Sequence, residues 1–505
     1  MTGKELRKKC KELPYSREMI AEEKTISSTM DELRTLWEKE DPARVLGVLS
    51  LIWSYSDAAA FFAKAGFETS RRRIKTIATY YHRAYAGGVE RVNAELMKIW
   101  TGMGYRVVFF CMEGPDPLDF SYPDTVKRIV IPAEDETARL SALRKACEEE
   151  QVDLYVNNAW TKQDSLWECI LMKIMHIPYV QYCHGNFAWS FREGESAFYQ
   201  TDAFRLCDMV VAISETNARF YQLCGCRSFL VQNPVPEDLT RYAAPSGEDT
   251  SRILLIGRLG PEKYPLEALE IFRRVHSEFG EVCLDIVGSG ELEDAAKTYV
   301  RENGLSECVS FHGYKNEKEI AEYYKKAACV LFTSKMEGYP MILLEAKAYA
   351  LPVVMYDLSY LSLFDGGKGI LSAPLGDLEK MKDNLMMLMR DAELRRKLGK
   401  EARESFERFS SHDQAADWGS IISLLSDEPK DTDPEAYYAP LTEGADRFIL
   451  PMLMEEVKKG YRNFIENDRS YKTGRAVLKI PRTIKNSLKE LKANSASDKD
   501  IRGND

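Results

Sequence analysis

CVLFTSKMEGYPMILLEAKAYALPVV, residues 329–354, reads as one complete strand–loop–helix–strand unit. CVLFTS (329–334) is apolar and β-prone, which predicts a buried strand. Gly338 breaks the regularity, and Pro340 suits the first turn of a helix, where its missing N–H costs nothing. Met341 to Ala350 are good helix formers, and LPVVMY (351–356) returns to strand. Two glutamates, Glu337 and Glu345, stand eight positions apart. The first falls on the loop and the second about two turns along the helix. In an open parallel sheet such a loop lies at the carboxyl end of a strand, where these sheets bind ligands.

The same alternation extends in both directions. RILLIG (252–257), CLDIVG (283–288) and CVSFHG (308–313) are predicted strands with helices between them, so residues 252–410 read as one α/β domain. Upstream, RRRIKTIATYY (71–81), YRVVFFCM (105–112), VDLYVNN (152–158), PYVQYCHG (178–185) and CDMVVAIS (207–214) mark a second domain over 71–235. Its helix GGVERVNAELMKIWTGMG (87–104) places Val89, Val92, Leu96 and Trp100 on one face. Repeated β-α-β units predict parallel sheets with helices on both faces. Residues 236–251, rich in Pro, Ser, Asp and Glu, read as a linker, and two domains so joined predict a cleft between them. Residues 1–70 have a helical pattern and form an N-terminal extension. In it, VLGVLSLIW (45–53) reads as a buried helix too short to span a bilayer.

Composition narrows the function classes. A net charge of −10 over 505 residues speaks against nucleic-acid binding by the body of the protein. Eleven scattered cysteines fit free thiols in a reducing compartment, and CGC (224–226) reads as structural. The opening residues are polar with no apolar core, so the chain reads as cytoplasmic.

In LLIGRLGPEKYPLEAL (254–269) a strand ends at Gly257, and Arg258 and Lys263 follow on a loop that abuts a helix. Taken alone, the pair reads as two solvated surface cations. On the same sheet edge as Glu337, beside the helix start at Met341 and Ile342, it reads as an anion site. Two other motifs are decoys. VGSGELED (287–294) lacks the third glycine of a dinucleotide fingerprint, with Glu293 in its place. DTD (431–433) follows no predicted strand and reads as solvated linker.

The order GGVERV (87–92), CHG (183–185), VVAISE (210–215), GRLGPEK (257–263), VGSGELED (287–294), VSFHGY (309–314) and EGYPMILLEAKAYALPVV (337–354) resembles the retaining family 4 glycosyltransferases. The likeness runs from residue 74 to about 425. It implies the GT-B fold, two Rossmann-like domains facing across a cleft, with residues 411–425 as a helix returning to the first domain, docked by Trp418. It implies a nucleotide-sugar donor held by the second domain and a glycan or polyprenyl-diphosphate-linked acceptor held mainly by the first, with no metal and no cofactor. Arg258 and Lys263 would clamp the donor diphosphate. Glu337, with Gly338 behind it, would sit beside the donor sugar, and Glu345 would bind the ribose hydroxyls. Gly87 and Gly88 would let backbone approach the diphosphate from across the cleft, as would Met341 and Ile342 from below. His184 would contact the transferred sugar near the reaction centre, and the base would rest near Gly313 and Tyr314. Ala350 stands where many relatives carry glycine; a small residue is kept, so little effect is expected. Nucleotide-sugar epimerases share the fold, and a non-catalytic scaffold is a reading from another class.

Residues 426–505 comprise an acidic loop and a basic amphipathic tail. RSYKTGRAVLKIPRTIKNSLKELK (469–492) carries +7, leaving −17 on the rest, and its apolar residues fall on one helical face. Such a segment suits an anionic membrane surface, the inner face of the plasma membrane in this setting. From composition alone, a helix docked on the acidic body is an equal alternative.

Overall fold

The computed structural model describes residues 1–13, 23–67, 71–85, 87–131, 135–159, 163–193, 196–236, 239, 251–427 and 443–467. Most of the expected linker (236–251) and the whole basic segment 469–492 lie outside these residues.

The first domain is a seven-stranded parallel sheet: β1 (Thr76–Tyr80), β2 (Arg106–Cys111), β3 (Lys127–Val130), β4 (Leu154–Asn157), β5 (Tyr179–Cys183), β6 (Met209–Ala212) and β7 (Ser228–Leu230). Their order is β3-β2-β1-β4-β5-β6-β7. The second is a six-stranded parallel sheet: β8 (Arg252–Ile256), β9 (Cys283–Val287), β10 (Val309–Phe311), β11 (Cys329–Phe332), β12 (Val353–Tyr356) and β13 (Ile370–Ala373). Their order is β10-β9-β8-β11-β12-β13. In both sheets the winding direction reverses beside the first strand, between β1 and β4 and between β8 and β11. Such a reversal opens a crevice at the carboxyl ends of those strands. The central strands are buried on both faces and read as apolar runs. The edge strands β3, β7 and β13 do not appear in the sequence reading. β3 is the clearest case: Lys127–Val130 is exposed or half-buried at every position, so no apolar run marks it.

Among the described residues the N-terminal extension holds four helices, Gly3–Glu12, Glu23–Lys39, Pro42–Ser50 and Tyr55–Ala65, packed on helices Glu136–Glu149 and Ser196–Leu206 of the first domain. VLGVLSLIW is not one helix. Helix Pro42–Ser50 stops, Leu51 is 70% exposed, and Ser54 caps the next helix by accepting from the Asp57 amide. Trp53 drops into the core beside Phe61 and Phe62.

One apolar cluster crosses from domain to domain, joining Val92, Leu96 and Trp100 to Leu343, Leu344 and Trp418. Helix Gln414–Leu425 lies on helix Gly88–Gly102, with the Trp418 and Trp100 rings edge to face at 4.8 Å and both side chains fully buried. Such aromatic pairs contribute ~1 kcal/mol beyond their area. A last helix, Glu443–Asn467, packs on the turn Phe187–Glu193 and on helix Glu215–Leu223. Among the described residues no helix is long and apolar enough to cross a membrane.

Ala350, after helix Met341–Ala348, has φ 52°, in the left-handed region. Glycine is preferred there because a Cβ costs roughly 1–2 kcal/mol in that conformation. The exchange of glycine for alanine therefore carries a backbone cost, contrary to the expectation of little effect.

Candidate active site

The loop after β11 brings Glu337 to the cleft, and its backbone is pinned on both sides. The Glu337 amide donates to Tyr360 Oη (2.8 Å), and Tyr360 Oη donates back to the Glu337 carbonyl (3.0 Å). Asn186 of the first domain donates to the same carbonyl (3.2 Å). The domains touch here: a Cβ at Gly338 would lie 2.6 Å from the His184 carbonyl oxygen, so only glycine fits. Pro340 is the N-cap rather than the first helical residue, and no side chain caps the amides that follow. Glu345 thus lies little more than one turn into the helix, not two.

Neither candidate cation stands alone. Lys263 Nζ donates to Glu337 Oε1 at 2.5 Å, with Glu337 only 6% exposed. Arg258 reaches Glu262 at 2.6 Å with its side chain largely in solvent. Glu345 is also engaged. Its Oε1 accepts from Arg91 of helix Gly88–Gly102 (2.7 Å), and its Oε2 accepts from Tyr324 Oη (2.7 Å). Tyr324 is in turn stacked on Tyr349 at 4.9 Å.

On the facing domain His184 follows β5. Its Nε2 lies 2.9 Å from Asn158 Oδ1. The Asn158 amide nitrogen is spent as a donor to Thr79 Oγ1 and Asn93 Oδ1. Nε2 therefore carries the proton; Nδ1 has no partner at full hydrogen-bond geometry among the described residues, although the Asn233 side chain also acts on the ring. Burial lowers the His184 pKa to about 3, so the ring is neutral at ordinary pH.

These parts line one cavity of ≈ 810 Å³ between the domains. Gly87, Gly88, His184, Arg258, Lys263, Tyr314, Glu337, Gly338, Met341, Ile342 and Glu345 all face it. Gly313 does not; its carbonyl accepts from the Gly288 amide (2.8 Å) and so holds a cavity-lining turn. The N-termini of helices Gly88–Gly102 and Met341–Ala348 come together at the cavity, close enough that a methyl on Gly88 would stand 3.9 Å from Met341 Cγ. Two helix N-termini, one of them met by the Glu90 carboxylate, and Arg91, Arg258, Lys263 and Lys315 against Glu262, Glu337 and Glu345 give the cavity a small excess of positive groups. A diphosphate fits that field.

Sequence profiles of two families match, "Glycosyl transferases group 1" over residues 238–405 and "Glycosyltransferase Family 4" over residues 86–239. Together the two matches span residues 86–405, and the two-sheet architecture is the GT-B fold. An uncharacterized glycosyltransferase of Haemophilus influenzae is 22% identical over 347 residues, 67% of this chain and 96% of that protein. The amylovoran biosynthesis glycosyltransferase AmsD of Erwinia amylovora is 36% identical over 124 residues, 24% of this chain and 33% of that one. The fold matches Anabaena HepE, solved with UDP and glucose, at a TM-score of 0.58 and 16% identity, covering 70% of this chain and 100% of that one.

Several residues of the site escaped the sequence reading. Arg91 sits inside GGVERV and falls on the helix's buried side, but nothing in its spacing announces a partner 254 positions away. Tyr324 is one aromatic among many in the sequence, and Tyr360 and Asn158, which stand behind the cavity lining and brace Glu337 and His184, are single polar residues in loops. Tyr339, whose buried hydroxyl has no hydrogen-bond partner among the described residues, lies within the quoted motif but carries no charge to mark it.

Proposed function

We propose that the protein is a retaining family 4 glycosyltransferase that needs no metal ion. It would move a sugar from a nucleotide-sugar donor to a glycan or polyprenyl-diphosphate-linked acceptor in surface-polysaccharide assembly. The observation that carries this reading is the Lys263–Glu337 ion pair, set beneath two helix N-termini in a cavity that also holds Glu345. An incoming diphosphate competes for Lys263. When the lysine turns to phosphate, Glu337 is released to hold the donor sugar, so binding arms the glutamate. Lys263, Arg258 and the backbone amides at the helix ends stabilise the negative charge that builds on the leaving diphosphate. They take the task a metal ion performs elsewhere. His184, neutral, presents its Nδ1 lone pair as an acceptor for a hydroxyl near the reaction centre. In this reading the acceptor hydroxyl attacks from the face the diphosphate leaves, and the departing phosphate receives its proton. The amylovoran relative and the UDP and glucose bound by the Anabaena protein support a polysaccharide setting and a nucleotide-sugar donor.

The first test is thermal stability against UDP, GDP, ADP and their common sugars. A ligand at a hundredfold over its dissociation constant adds about 2.7 kcal/mol. One nucleotide should stabilise the protein and lose that effect in Lys263→Ala; no response to any of them would remove the donor. Turnover of the donor without acceptor would favour the epimerase. We further propose that residues 469–492 bind the anionic cytoplasmic face of the plasma membrane. Deleting 469–505 should release the protein from phosphatidylglycerol vesicles, and unchanged vesicle binding would remove the membrane from the reading.

A further inference from the structure

The Arg91–Glu345 ion pair joins the two domains at the back of the cavity. Arg91 stands on the first helix of one domain and Glu345 on the helix beneath the donor loop of the other. Both are buried, at 8% exposure each, and both line the cavity. A buried charge pair of this kind is strongly perturbed when one partner is removed, because the other is left uncompensated. The pair is not needed to hold either domain together, since each has its own apolar core.

We propose that Arg91 is a positioning residue that ties recognition of the donor ribose to closure of the cleft. This rests on the nucleotide-sugar reading above. A carboxylate accepts at about four lone-pair sites. Arg91 and Tyr324 are two of the donors that hold Glu345, so a ribose that reaches it meets a carboxylate already fixed in place. Arg91 and Tyr324 set the plane of the carboxylate before the donor arrives. Because Arg91 belongs to the opposite domain, the carboxylate is oriented for the diol only when the cleft is closed. Loss of Arg91 lowers the population of the closed form, and the apparent donor affinity falls with that population.

The experiment uses the full chain, with UDP, GDP and ADP as probes and the 2′,3′-dideoxy form of whichever binds. Affinities are measured by calorimetry for wild type, Arg91→Ala and Arg91→Lys, and the radius of gyration without ligand by X-ray scattering. Arg91→Ala should bind the nucleotide roughly 5- to 50-fold more weakly, while the dideoxy form, which has no diol to offer Glu345, loses much less. The unliganded Arg91→Ala protein should be more extended than wild type. Equal losses for the two nucleotides, or an unchanged radius, would overturn the proposal, since a merely structural arginine gives the first and a cleft closed by other contacts the second. Should Arg91→Ala fail to fold, Arg91→Lys and Arg91→Gln carry the same comparison. If wild type binds none of the three nucleotides, the donor reading falls, and the scattering alone decides whether Arg91 holds the cleft closed.

Discussion

The two sheets share a winding order, yet the edges they turn to the cleft differ in chemistry. The β8–β11 edge carries ions: Lys263 on Glu337, Arg258 on Glu262, and Glu345 reaching across to Arg91. The β1–β4–β5 edge carries a neutral chain, His184 to Asn158 to Thr79 and Asn93. A field of fixed charges suits a ligand whose own charge changes during reaction. A chain of uncharged hydrogen bonds suits a ligand that must be placed without being polarised. Apart from Arg91 and the helix end that carries it, the same fold thus divides the labour, with ion pairs gathered on one wall and uncharged hydrogen bonds at His184 on the other.

The contrast is broken most directly from the charged wall. Glu337→Gln and Lys263→Ala should each lower kcat by roughly 10²- to 10³-fold, as expected for groups that act on developing charge. An activity within a few-fold of wild type for either variant would mean that the charged wall serves binding or folding only. On the neutral wall the effect is on pH behaviour. The His184 pKa is about 3 in the folded chain against an ordinary 6.5, so the unfolded chain binds the extra proton between those values. The stability contribution is therefore fully present above pH 6.5 and lost as pH falls toward 3. His184→Gln should flatten that acid limb in urea titrations; an unchanged limb would show that the neutral wall does not depend on a buried imidazole. The smallest effect tests the backbone under the charged wall. Ala350→Gly relieves the left-handed strain but loosens the unfolded chain, for a net gain of about 0.5–1 kcal/mol. A lower melting temperature in that variant would mean that the alanine methyl contributes packing that outweighs the strain.

What was legible in the sequence follows from what signals are local. Central strands announced themselves because burial on both faces demands unbroken apolar runs, as in Leu154–Asn157 and Cys329–Phe332. Three of the four edge strands, Lys127–Val130 most clearly, did not, since a half-exposed strand tolerates charges. The break in VLGVLSLIW was hidden because Ser54 as a helix cap looks, in one dimension, like any serine in an apolar stretch. At the site, residues bound to a special backbone shape were readable: the loop glutamate, the glycine beside it, and the cations after β8.

By itself the sequence determined two α/β domains, a strand-end loop with Glu337 and Glu345 eight apart, and a basic turn on the same sheet edge. All of these rest on spacing along a strand or a helix turn. Only the tertiary structure decided the partners. That Lys263 is held by Glu337, that His184 is neutral, and that Glu345 is claimed by Arg91 from the other domain depend on burial and on contacts between residues up to 254 positions apart. Charge pairing and desolvation act over a few ångströms of space, and no periodicity in the chain encodes which distant residue will come that near.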